Sequence, residues 1–297
     1  MLGVEDPASY EAGESGAYPG FTAVPLHLNP RVAGASCMTL NCKRSSTMPA
    51  SSTSIFGKWV WVFSFSIAFA WVESSVVIYL REIYFEGSFY FPIHTTWHDG
   101  RAVLDTLMRV EFGREIATII MLISIGCAAG KKPIQKFCFF MVAFGIWDIF
   151  YYIWLRVLVG WPENLMTWDL LFFVPLPWVG PVITPLLIAL AMVVAGSQIL
   201  YYENKGITFQ WRWYDWTVEF ACGLAMIVAF CWDWRNILRL PGDTTRNGMP
   251  NAFAWWIYLP AYVAAVAYYV YRLKRVLARH AGKAQAKLAE NADIFRL

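Results

Sequence analysis

The chain has 297 residues, of which 58% are hydrophobic and only 15% charged, and its formal net charge is +3. A soluble domain of that length needs more charge to cover its surface, so the composition excludes an ordinary water-soluble fold. The few basic residues are not gathered on one soluble module, which argues against a nucleic-acid partner.

The apolar runs are long enough to cross hydrocarbon as helices, and Trp and Tyr cluster near their ends, where amphipathic rings favour the headgroup region. The sequence therefore predicts an all-α integral membrane protein. Residues 1–52 are rich in Gly, Ser, Pro, Ala and Thr without periodicity and read as a disordered cytoplasmic tail. No apolar core follows a basic start, so the tail does not read as a cleavable signal, and Met38 and Met48 are alternative starts.

Residues 53–273 read as a six-helix transmembrane bundle, with spans near 58–81, 111–130, 137–159, 170–200, 213–236 and 252–272. The apolar part of the second span, Ile116 to Ala129, is too short alone. Helical periodicity from Asp105 to Glu115 extends it and draws Glu111, Arg114 and Glu115 to the membrane boundary. Residues 274–297 continue as a basic cytoplasmic helix suited to anionic headgroups. With both termini inside, all lysines fall on the cytoplasmic side while the outer loops hold only arginine. That asymmetry predicts both termini in the cytoplasm, and the chain has the general look of a multi-pass protein of a bacterial-type inner membrane, with the lipid bilayer as its first partner.

The first and third spans carry an acid and a base at one separation. Glu73 precedes Arg81 by eight residues, and Asp148 precedes Arg156 by eight. That spacing is a rotation of ~80° and a rise of ~12 Å, so acid and base share a broad face. Tyr152 lies between Asp148 and Arg156 on the same face. A carboxyl group at mid-bilayer costs roughly 2.5–3.5 kcal/mol on insertion scales, so such groups mark ligand, ion or proton sites or pair with one another. The pattern predicts an outward-facing pocket with Glu73, Asp148 and Tyr152 as proton-exchange groups. Arg81, Glu111, Arg114, Glu115 and Arg156 would bind ligand around the mouth. In the fourth span, Pro175, Pro177, Pro181 and Pro185 predict a kinked or broken helix at the depth of the two acids.

At the start of the fifth span, Asp215 reads as interfacial and Glu219 as the better candidate for a buried acid. The cysteines within spans read as packing. His94 and His98 are spaced for a shared metal only if their loop were helical, and no third ligand is fixed by spacing, so no metal or cofactor is expected. No phosphate loop, dinucleotide fingerprint, nucleophile elbow or zinc-protease pattern is present.

Three functions fit these residues. A carrier or binding protein would use the arginine rim for an anionic or amphipathic small molecule and exchange a proton at Glu73 or Asp148. An intramembrane enzyme would use the same carboxyl groups as acid and base on a lipid or isoprenoid substrate. A structural or assembly subunit of a membrane complex would use the charges only for pairing.

Overall fold

The computed structural model describes residues 55–86, 89, 94–95, 101–173, 176–234 and 252–294. The predicted disordered tail, residues 1–52, lies outside the described residues. Among the described residues six helices carry the fold: α1 (Ile55–Tyr84), α2 (Arg101–Ala129), α3 (Pro133–Val159), α4 (Ile183–Asn204), α5 (Trp213–Cys231) and α6 (Trp255–Ile294). Two antiparallel hairpins complete it: β1 (Phe85–Glu86) with β2 (His94–Thr95), and β3 (Trp168–Phe172) with β4 (Trp178–Pro181).

The helices α1 to α5 are each long and apolar enough to cross a membrane. Large apolar side chains such as Trp61, Ile120, Leu190 and Leu224 stand exposed on their outer faces, as lipid-facing positions require. Inward hydroxyls satisfy themselves: Ser66 and Ser74 each donate to the carbonyl one turn back at 2.8 Å. The basic C-terminal segment is not a separate element. The last apolar run and the basic run form one continuous helix, α6.

The helix α3 sits at the centre, packed against α1, α2 and α4. Its bounds follow from local chemistry. Pro133 stands in the first turn, where no N–H is needed, and Gln135 accepts from the N–H of Lys131 at 3.1 Å. At its other end Gly160 takes φ 74°, and its N–H reaches the Arg156 carbonyl at 3.2 Å. The contact with α4 is closed by glycine. A Cβ on Gly145 would lie 2.5 Å from the Ala189 carbonyl oxygen, and one on Gly196 would lie 2.8 Å from that of Cys138.

The expected fourth span, 170–200, is corrected. Its first part is not a kinked helix but the hairpin β3–β4, in which Trp168 faces Pro181, Asp169 faces Gly180 and Leu170 faces Val179. The prolines explain the change. Each lacks the N–H that a helix ladder needs, whereas a two-stranded ribbon tolerates them at its edges and ends. The helix α4 starts only at Ile183, with Pro185 in its first turn, where a missing donor costs nothing.

One end of the bundle gathers the lysines. Lys58 donates to the Ala129 carbonyl at 2.6 Å, and Lys132 pairs with Glu203 at 3.1 Å. At the same end α5 and α6 are joined by a buried ion pair, Arg272 to Asp215 at 2.8 Å, with Tyr268 donating to Asp215 at 2.6 Å. Here too the structure corrects the sequence. Asp215, expected at the interface, is fully buried, and Glu219 is only half-buried. A first-turn carboxylate that also accepts from the Arg212 N–H (2.7 Å) is satisfied from several sides and can be buried whole.

Two stability predictions follow from this packing. Gly145→Val should separate α3 from α4 and lower the melting temperature in detergent, an overpacking cost of roughly 1–3 kcal/mol. Gly223→Ala, where an added Cβ meets nothing within 4 Å, should leave it equal or higher. Asp215→Ala should remove the buried partner of Arg272 and cost roughly 3–5 kcal/mol. Glu219→Gln, read by the same thermal scan, should change little.

Candidate functional site

Away from the lysine end, α1, α2, α3, α4, α5 and the β3–β4 hairpin enclose a cavity of about 150 Å³. One side is polar, lined by Glu73 and Arg81 of α1, by Glu111, Arg114 and Glu115 of α2, by Asp148, Tyr151 and Tyr152 of α3, and by Asp169 of β3. The other side is apolar and largely aromatic, with Phe172, Phe173, Trp178, Ile188 and Phe230. The aromatic wall is continuous: Trp178 stacks on Phe230 with ring centroids 6.0 Å apart and planes at 8°, and Phe172 meets Trp178 edge-on at 5.5 Å.

Most of the polar groups have partners. The guanidinium of Arg114 pairs with Glu73 across the α1–α2 gap and with Glu111 one turn earlier on its own helix, where its Nε donates at 2.9 Å. Glu73 also accepts from the Thr118 hydroxyl at 3.3 Å. The carboxylate of Glu115 accepts from the backbone N–H of Phe173, 2.8 and 3.0 Å to its two oxygens, and so holds the hairpin against α2. Asp169 accepts from Tyr152 at 2.9 Å and from the N–H of Leu170 at 2.8 Å, with Arg81 3.8 Å away.

Asp148 is different. Its side chain lines the cavity, the residue is only 8% exposed, and among the described residues no hydrogen bond or ion pair engages it. A buried carboxyl group left without donor or cation is costly, and such groups in native proteins call for an explanation.

The sequence-predicted residues divide accordingly. Glu73, Arg81, Glu111, Arg114, Glu115, Asp148 and Tyr152 line one cavity. Arg156 does not. It is exposed, and its guanidinium donates to the carbonyls of Gly160 and Pro162, closing the C-terminal end of α3. Its place by spacing is therefore corrected: the free carbonyls just past the helix end lie nearer to it than the pocket. Asp169, one residue before the expected fourth span, and Tyr151 also line the cavity and were not singled out from the sequence. His98 lies outside the described residues. Among those described, no group of three or more His, Cys, Asp or Glu is arranged to hold a metal ion.

Comparison with protein-family models, with curated proteins and with solved structures returned no match.

Asp169 lies outside the membrane-spanning helices, in the connection between α3 and α4, and gives the site a pH signature. Burial pushes its carboxyl up to about 6, opposed by Arg81, by the Tyr152 hydroxyl and by the Leu170 N–H. Folding therefore favours its protonated form. The stabilisation is complete below the unfolded value near 3.9 and is lost as pH rises through about 6. The melting temperature of the wild type should fall relative to Asp169→Asn between about pH 4 and pH 7, by the equivalent of roughly 2–3 kcal/mol. A thermal scan of both proteins across that range measures it, and a pH-independent difference would contradict the assignment.

Proposed function

We propose that the chain is a six-span protein of a bacterial-type inner membrane, with both termini cytoplasmic, that binds or carries a small amphipathic molecule in its intramembrane cavity and exchanges a proton at Asp148. The lysine end faces the cytoplasm in this reading, because basic residues are retained on that side. The helix α6 supplies the sixth span through its apolar first half. The cavity then lies toward the outer face.

The observation that carries the binding role is the partnerless carboxyl group of Asp148 on the wall of a cavity that is polar on one side and aromatic on the other. Amphipathic ligands need that division: an apolar body against rings and a polar end against convergent polar groups. Pairing alone accounts for Glu73, Glu111, Glu115 and Asp169, each of which has its partner, and a purely structural bundle needs nothing more from them. On the cavity wall, a purely structural reading leaves over Asp148 and the indole N–H groups of Trp147 and Trp178, which have no hydrogen-bond partner among the described residues. An anion is a poorer fit, since Arg81, Arg114 and Arg156 are engaged within the protein.

Native mass spectrometry of the protein released from mild detergent tests this reading. Wild type should carry a small-molecule adduct, which Ile188→Trp, filling the apolar side, and Asp148→Asn should both lose. Asp148→Asn orphans no partner and should melt at or above the wild-type temperature, whereas Glu73→Gln leaves Arg114 undercompensated and should melt lower. An adduct-free wild type, together with an Asp148→Asn variant as unstable as Glu73→Gln, would leave only a bundle-locking role.

A further inference from the structure

Building on the binding role just proposed, we infer that the cavity's ligand is a cation: a protonated amine or ammonium group on an apolar body about the size of a benzene ring. The first support is the charge on the wall. Among the described residues the cavity is lined by five carboxyl groups and two guanidinium groups, with no lysine. One guanidinium, Arg114, is shared by Glu73 and Glu111, and the other, Arg81, stands by Asp169. The carboxylate of Glu115 accepts from the Phe173 backbone N–H, and the five acids still outnumber the two guanidinium groups. Negative charge is left in excess, and Asp148 is where it has no partner.

Each class of ligand meets that wall differently. An anion would have to enter beside acids whose compensating arginines are already taken. A neutral molecule can donate an O–H or N–H to the Asp148 carboxyl group but brings it no compensating charge. An ammonium group supplies both charge and N–H donors, and a charge-assisted bond to a carboxylate is among the stronger polar contacts.

The second support is the surface opposite. Phe172, Trp178 and Phe230 line that side, and Trp147 stands beside Asp148 on α3. Aromatic faces carry negative potential and attract organic cations, more strongly where water is excluded. The third is size. The volume is about 150 Å³, and an apolar protein cavity of about that size accommodates benzene. The cavity thus suits a single ring or a short alkyl body with its charged end toward Asp148.

Benzylamine, benzyl alcohol and benzoate share one ring and differ in charge. Their binding to the full-length protein in a neutral, non-ionic detergent at neutral pH can be read by calorimetry and by the shift in melting temperature. Benzylamine should bind roughly tenfold or more tighter than benzyl alcohol, the scale of one desolvated cation contact, and benzoate should not bind. Asp148→Asn should reduce benzylamine to the level of benzyl alcohol, and Ile188→Trp should abolish the binding of both. Benzyl alcohol or benzoate binding as well as benzylamine would overturn the cation inference and leave the binding role standing. Binding of none of the three would overturn the binding role itself. Should Asp148→Asn fail to fold, the wild-type ranking of the three probes decides alone.

Discussion

A carboxyl group withdrawn from water must meet a cation, a donor or a proton, and this constraint shapes one half of the molecule. Five such groups converge where α1, α2, α3 and the β3–β4 hairpin meet. Four of them draw a partner from another element or from the adjacent turn. Arg114 ties α2 to α1, the Phe173 N–H ties the hairpin to α2, and the Tyr152 hydroxyl ties α3 to the hairpin. Satisfying the acids therefore fixes the relative placement of elements that apolar packing alone would leave free to slide, since lipid competes with protein for apolar side chains.

The two ends of the bundle meet the same constraint differently. At the lysine end, the buried acids Glu203 and Asp215 each have a basic partner and backbone donors: Lys132 and the Phe209 N–H for one, Arg272 and the Arg212 N–H for the other. Charge is closed there for these two acids, while Glu219, one turn beyond Asp215, keeps a buried Oε1 with no hydrogen-bond partner among the described residues. At the opposite end acids outnumber bases on the cavity wall, and the space remains open. A membrane protein that needed only stability could have used the closed arrangement twice. The excess of acids over bases on the wall of an open space is what supports the binding role proposed for the second site.

Much of this was legible in the sequence, for physical reasons that differ by residue. Helical period and apolar length locate α1, α2, α3 and α5, because lipid leaves the backbone few alternatives. The eight-residue spacing placed Glu73, Arg81 and Asp148 on cavity-facing surfaces, since helix geometry converts spacing into direction. Arg156 shares that spacing but lies in the last turn, where open carbonyls compete for its guanidinium, and periodicity carries no information about that competition. Asp169 and the hairpin were missed for a related reason. The run from Leu170 to Pro185 is apolar throughout, and hydropathy cannot tell a proline-broken helix from a two-stranded ribbon. Four prolines within eleven residues were the available signal, read as a kink when they are better read as an end to helix. The burial of Asp215 depended on Arg272, which is far away in sequence, and no local pattern reports such a partner.

The position of the cavity follows from where α4 stops being a helix. The helices α3 and α4 run antiparallel and nearly touch at Gly196 against Cys138 and again at Gly145 against Ala189. Continued by one turn in the same register, the contact brings Asp148 level with Pro185, in the first turn of α4. Beyond that level α4 offers α3 no helix to pack on, and Tyr152 instead reaches Asp169 on the hairpin. A ribbon does not fill the groove that a helix would have filled, so a space opens at the changeover, and Asp148 stands on its wall. The prolines that end α4 and the glycines that draw α3 against it thus act on one site. The first pair of features makes the room, and the second sets which residue of α3 faces it. A change that let α4 continue as helix through residues 178–182 would fill the space from the α4 side and bury Asp148 against apolar side chains, a cost that nothing else in the bundle offsets.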